Sequence, residues 1–268
     1  GLAAYAPPPR TQKAVTKGAS DIVEPSRNEV TGFVFKIQAN MDPRHRDRMA
    51  FLRVCSGRFQ RDMLVHLARL GRKIRITRPH RLFAREREML AEAFPGDVVG
   101  LVNPGLFSIG DTLSTGAPLR FDAVPRFAPE RFAILRCRTL SRQKQFHRGL
   151  TQLEEEGAIQ VFKPVAGSLL LLGAVGQLQF EVLAARIDAE YGLPARFETA
   201  GIEAARWVSS ADPVIFKAFT ESQRGSLAED HDGALVFLAR NSWHLNKIME
   251  ENPAIKFAKT REQFTAVA

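Results

Sequence analysis

Between residues 31 and 120, turn-forming groups interrupt the chain too often for a long helix: Ser56-Gly57, Leu70-Gly71, Pro95-Gly96-Asp97, Pro104-Gly105 and Gly110-Asp111. Glycine supplies backbone angles that other residues avoid, and proline and aspartate seed tight turns. Phe33, Phe35 and Ile37 alternate with Val34, Lys36 and Gln38, the two-residue period of a half-buried strand. Further strands are predicted at Ala50–Val54, Met63–Ala68, Lys73–Thr77, Val98–Asn103 and Thr112–Thr115. Many short strands between turns predict a closed β-barrel over residues 31–122, because closure removes exposed edges.

After residue 127 the period lengthens. Arg131–Thr139 reads as a strand, and Ser141 is placed to cap a helix running to Glu156, with Phe146, Leu150 and Leu153 on one face and Gly157 beyond its end. Strands follow at Ala158–Val165 and Ser168–Gly176. A second helix spans Gln177 to Tyr191, and a last strand spans Pro194–Thr199. The order βαββαβ is that of the ferredoxin-like split motif. Residues 202–268 add Ala205–Val208, Pro213–Glu221, Ala234–Ala239, Trp243–Glu250 and Ile255–Lys259 as strand, helix, strand, helix and strand, an α/β extension of a domain over residues 123–268. No internal repeat is visible. Residues 1–30, with Pro7, Pro8 and Pro9 and little periodicity, read as a linker.

A chain of 268 residues with 45% hydrophobic side chains suits two domains of ordinary size. Cys55 and Cys137 share no CxxC or disulfide spacing, which points to a reducing compartment. The start of the chain lacks the basic and apolar stretches of a secretion signal, and the longest apolar run, Leu169–Val175, is too short to cross a bilayer. A cytoplasmic monomer without membrane contact is expected.

The net charge of +9 is concentrated in one place. Residues 44–88 hold 14 arginines and lysines against Asp47, Asp62, Glu86 and Glu88, and the rest of the chain is nearly neutral. Clustered positive charge is the footprint of a polyphosphate partner. The loop from Asn40 to Arg48 carries Arg44, His45, Arg46 and Arg48, whose forked guanidinium groups suit phosphate oxygens, and Asp42 and Asp47 are the competing partners for them. Arg58, Arg72, Lys73, Arg75, Arg78 and Arg81 extend the set of candidate contacts.

Signs of catalytic chemistry are weak. The phosphate-cradling glycine loop is absent: Gly71-Arg72-Lys73 follows His66 where the motif requires glycine. Asn246-Lys247-Ile248-Met249 begins like a guanine-reading motif but ends in methionine. The six histidines are scattered without metal-binding spacing, and Glu154, Glu155 and Glu156 point around a helix end rather than into a shared site. His231 and Asp232 read as turn residues beside Gly233.

Several motifs carry a resemblance. Arg53-Val-Cys-Ser-Gly57, Pro95-Gly-Asp97 and Ile109-Gly-Asp-Thr112 resemble the second-domain barrel of translational GTPases. The stretches Thr31–Arg48 and Lys144–Phe162 are more specific, and with Gly173–Phe180 and Ala205–Val208 they are similar to the bacterial peptide chain release factor 3 family. That resemblance implies a GTPase that binds the ribosome, both its RNA and its proteins, and drives class-I release factors off after the peptide is freed. It implies GTP or GDP with magnesium in a nucleotide domain preceding residue 1, which this chain would work against, and no cofactor within the chain itself. The competing readings are a free-standing RNA- or ribosome-binding module and an enzyme with an unrecognised site.

Overall fold

The computed structural model describes residues 7–16, 19–39, 48–83, 86–121, 125–137, 142–167, 169–193 and 195–262. They form a β-rich unit up to residue 124 and an α/β unit over Pro125–Arg261, each with its own core.

In the first unit, Gln12–Thr16 (β1) and Ala19–Val23 (β2) pair with each other, although residues 1–30 read as linker. Next come Thr31–Gln38 (β3), Arg48–Ser56 (β4), Phe59–Gln60 (β5), Leu64–Leu67 (β6), Arg72–Arg75 (β7), Pro79–Phe83 (β8), Glu86–Met89 (β9) and Glu92–Ala93 (β10). Val98–Asn103 (β11), Thr112–Ser114 (β12) and Leu119–Phe121 (β13) complete the unit. Eight of these strands form one sheet in the order β7-β6-β12-β3-β4-β11-β8-β9. Its two ends approach through the turn after β5: the Arg61 N–H donates to the Ala91 carbonyl beyond β9, and the Asp62 N–H to the Ile76 carbonyl beyond β7. The curled sheet encloses a core built on Val34, Leu52, Phe59, Leu67, Leu101 and Leu113.

Two features depart from the alternating pattern. The register slips between Val34 and Lys36, a β-bulge, so Val34 and Ile37 point inward while Phe35 is 42% exposed. The small sheet β2-β1-β13 covers a second cluster of Ala14, Val23, Cys55, Leu119 and Phe121, with Phe33 meeting Phe121 edge-on at 6.2 Å. Strand β1 has few large apolar residues, so its pattern offered no strand signal; its pairing with β13 places Ala14 opposite Phe121. The turn chemistry matches the sequence reading. Gly57 has φ 71°, and a Cβ there would lie 2.7 Å from the backbone of Glu29 and Val30. The buried Asn103 side chain accepts from the N–H groups of Gly105, Leu106 and Phe107 at 2.8–3.0 Å, which ties down the Pro104-Gly105 turn.

In the second unit, Pro125–Phe127 (β14) leads into Arg131–Cys137 (β15), Gln143–Glu155 (α1), Gln160–Pro164 (β16), Leu171–Ala174 (β17), Gln177–Tyr191 (α2) and Ala195–Thr199 (β18). This is the expected βαββαβ order. The residue expected to cap α1, Ser141, lies outside the described residues. The other end of α1 is closed by Gly157 in the left-handed region, with N–H groups of Gly157 and Ala158 returning to Glu154 and Leu153. The remaining residues form Ala204–Ser209 (β19), Pro213–Ser222 (α3), Leu227–Glu229 (β20), Leu235–Ala239 (β21), Ser242–Glu251 (α4), Lys256–Ala258 (β22) and Thr260–Glu262 (β23). Asp212 caps α3 and Asn241 caps α4 through their side-chain oxygens.

The stretch from β19 to β22 is a second βαββαβ motif, although the sequence showed no repeat. One eight-stranded sheet runs β18-β15-β17-β16-β20-β21-β19-β22, so the two motifs meet strand-two to strand-two and read outward in mirrored order. The joint pairs Lys163 with Glu229 and Pro164 with Ala228. Helices α1 and α2 cover the first half through Phe146, Leu150, Leu153, Phe180, Leu183 and Ile187, and α3 and α4 cover the second through Phe219, Leu245 and Ile248. The opposite face collects Phe132, Phe162 and Leu171 from one half and Ala205, Trp207, Ala228, Val236 and Leu238 from the other into one cluster. Consecutive strands from both motifs share that cluster, so the helix-free face of the sheet carries one continuous core.

Candidate nucleic-acid interface

Of the candidate contacts, Arg44, His45 and Arg46 lie outside the described residues. The others sort into cations used by the fold and cations left in water. Arg58 pairs with Glu92 and lies 5.9 Å from the Phe94 ring centroid. Arg48 begins β4, and its guanidinium packs beside Gly105, where a Cβ would stand 3.0 Å from it. Arg69, counted in the basic run by sequence, belongs to the fold. It donates to both oxygens of the fully buried Asp111 carboxylate at 2.7 and 2.9 Å and to the Leu106 carbonyl at 2.7 Å.

Arg72, Lys73, Arg75, Arg78 and Arg81 are exposed on β7, β8 and the segment joining them, beside the seam where the sheet ends approach. Arg75 donates to the Asp62 carbonyl at 2.9 Å, and Arg81 stands across the ladder from Glu88. No carboxylate of the described residues comes within ion-pair distance of Arg72, Lys73, Arg75 or Arg78. Successive residues on one strand face lie about 7 Å apart, so Lys73 and Arg75 repel rather than support each other. Exposed charges of this kind contribute little to stability even when paired. Their closeness is a cost to the free protein that a row of phosphates would offset.

The second unit carries a different polar centre, which the sequence reading treated as turn chemistry. Asp230, 5% exposed, accepts from the Trp207 indole N–H at 2.9 Å, from Arg261 and from the N–H groups of Asp232 and Ala234 at 3.0 and 2.9 Å. Asp232 adds ion pairs to Arg126 at 3.4 Å and Arg261 at 3.7 Å. Next to it, the His231 ring meets the Glu154 carboxylate of α1 at 3.2 Å, and that hydrogen bond raises the pKa of His231. These groups bind the β20–β21 hairpin to both halves of the unit and are saturated by one another.

A cleft of the second unit, about 730 Å³, is lined by Glu130, Glu198 and Glu203 as well as by Arg131, Arg240, Phe180 and Phe197. Its carboxylates disfavour a phosphate backbone. In the first unit a cleft of about 370 Å³ is lined by Lys13, Arg53, Phe33 and the buried Phe121 beside Cys55, whose thiol is pushed up to about 11 by burial and stays protonated at neutral pH. No group of three or more His, Cys, Asp or Glu among the described residues is arranged to hold a metal ion.

Comparison with known proteins connects the two units. Residues 29–116 match the family model described as elongation factor G domain 2, and residues 121–249 match that of class II release factor RF3, C-terminal domain. The crystal structure of ttk003000868 from Thermus thermophilus superposes with a TM-score of 0.54 at 18% identity, over 75% of this chain and 30% of that one. At that identity the superposition speaks to the fold alone; the chain spans less than a third of that structure's length. A barrel of the elongation factor G type followed directly by a release-factor C-terminal domain defines the class, the translational GTPases. Within it, the second match is specific: residues 121–249 are a release factor 3 C-terminal domain, and the two matches together support a release factor 3 C-terminal portion.

Proposed function

We propose that this chain is the ribosome-docking part of a translation termination GTPase, which promotes dissociation and recycling of class-I release factors after peptide release. The observation that carries the reading is the run of exposed cations Arg72, Lys73, Arg75 and Arg78, without carboxylate partners among the described residues, on the barrel whose sequence matches elongation factor G domain 2. In this reading, ribosomal RNA phosphates take the place of the missing carboxylates. The release-factor domain supplies the contacts particular to termination. GTP or GDP with magnesium would be bound by a separate nucleotide domain of the intact, cytoplasmic and monomeric factor, since this chain holds no phosphate-cradling loop. The chain would pass on the nucleotide state by moving against that domain.

The test is sedimentation of the full-length factor with ribosomes over a salt series. Binding should fall as salt rises, and replacing Arg72, Lys73 and Arg75 with alanine should lower the slope of log K against log salt by roughly one unit per lost phosphate contact. The triple change Arg44, Arg46 and Arg48→Ala tests the arginines of the Asn40–Arg48 stretch in the same way. Unchanged binding and unchanged recycling in both variants would sink the electrostatic part of the reading.

A further inference from the structure

The chain has two tryptophans, and the fold treats them in opposite ways. Trp207 is 5% exposed, with its indole N–H satisfied by Asp230. Trp243, the second residue of α4, is 69% exposed. A large aromatic ring left in water forgoes the greatest hydrophobic gain any side chain offers, so its surroundings bear on its use. One turn along α4, the Lys247 ammonium stands 5.4 Å from the indole centroid and covers one face of the ring. Arg240 is exposed immediately before the helix. Acidic groups lie at the far end: Glu251 is 3.8 Å from Lys247, and Glu250 is exposed beside it. Lys247, which also meets Glu251, therefore keeps a cation over the ring, and Arg240 adds charge where α4 begins, on the border of the cleft that holds Glu130, Glu198 and Glu203; that end is also the positive end of the helix dipole, which favours phosphate.

The duplicated fold provides an internal comparison. Helix α2 occupies in the first motif the place of α4 in the second, and its second residue, Leu178, is also 69% exposed. Its exposed neighbours are the aliphatic Val175 and Val182, which offer no π-face for a base or a cation. Of these two helix starts, the one in the second motif alone combines an open π-face with flanking positive charge.

We propose that Trp243, with Arg240 and Lys247 beside it, is a stacking platform for an unpaired RNA base. Unpaired bases in loops splay outward and stack on aromatic rings while nearby cations hold the phosphates, and an indole takes any base because every base has a π-face. The inference rests on the ribosome-docking reading and gives the second unit an RNA contact independent of the barrel.

The test titrates the whole chain at low salt with a single-stranded oligoadenylate RNA, following tryptophan emission and the anisotropy of the labelled RNA. Trp207 provides a constant background. Saturable quenching is expected, with affinity on the order of ten-fold weaker in Trp243→Ala, a smaller loss in Trp243→Phe, and no change in Leu178→Ala. Unaltered emission while anisotropy shows the RNA bound, or wild-type affinity in Trp243→Ala, overturns the proposal. If Trp243→Ala loses ribosome binding in the full-length factor while oligoadenylate leaves the emission unchanged, the platform serves a protein and the RNA assignment is wrong. Wild-type sedimentation with ribosomes, measured alongside, separates failure of this site from failure of the docking reading.

Discussion

Asp230 is the residue on which the second unit's interior polarity depends. It sits next to the apolar cluster of Trp207, Ala228 and Val236 and satisfies an indole, a guanidinium and two backbone N–H groups at once. Asp230→Ala would leave all four donors without their acceptor, and a loss of about 3 kcal/mol is expected, read as a lowered denaturation midpoint. Its neighbour His231 brings pH into the stability. The pKa of His231 is raised from 6.5, chiefly by its hydrogen bond to Glu154, with Asp232 also favouring the charged form and burial and Arg126 opposing it. A raised folded-state pKa means that the stabilisation is fully present below about pH 6.5 and is lost as pH rises through the folded value. Melting temperatures taken from about pH 5 to about pH 9 should show this decline, and Glu154→Gln should flatten it.

At the scale of single elements, β7 and the short helical turn before it divide the basic segment by role. Arg69 lies in that turn and neutralises the buried Asp111, whereas Arg72, Lys73 and Arg75 on β7 face water. Arg69→Ala is expected to cost about 3 kcal/mol in unfolding free energy by stranding a buried carboxylate. Arg72→Ala should change stability by no more than about 0.5 kcal/mol while weakening ribosome binding. Equal effects of the two substitutions on stability would contradict this division. Charge counting along the sequence gives both arginines the same weight, because a side chain's partner 42 positions away cannot be read from its own neighbourhood. Strand β3 makes a similar point about period: its alternation placed Phe33, Phe35 and Ile37 together, and one bulge turned Phe35 outward.

For the whole molecule, the shared sheet and the core common to both motifs make the second unit one cooperative body. Phe162, fully buried, packs in the cluster that Trp207, Ala228 and Val236 complete from the other motif. A fragment spanning residues 125–262 is predicted to unfold in a single transition. A fragment ending at Thr199 would uncover Phe132, Phe162 and Leu171 and the edge of β16, and should bind hydrophobic dyes without a cooperative melt. A sharp melt in that shorter fragment would show that the first motif folds alone. The segments of the first motif were legible in the sequence, down to α2 beginning at Gln177 and ending at Tyr191, because helical period and a closing glycine are local signals; the second was read as strand, helix, strand, helix and strand, without the three-residue β20, which is too short to carry a period. Their duplication was not, because the two motifs share topology rather than residues.

The sequence by itself determined the local structure and the family. Turn residues, periodicities and the stretches at 31–48 and 144–162 act over a few positions, and the family matches fall on the same chain. The tertiary structure alone decided which charges were consumed by buried partners, which tryptophan was covered, and how two βαββαβ motifs share one sheet. Each of these depends on contacts between residues distant in sequence. Burial and pairing are properties of the folded surroundings, and no residue carries them alone.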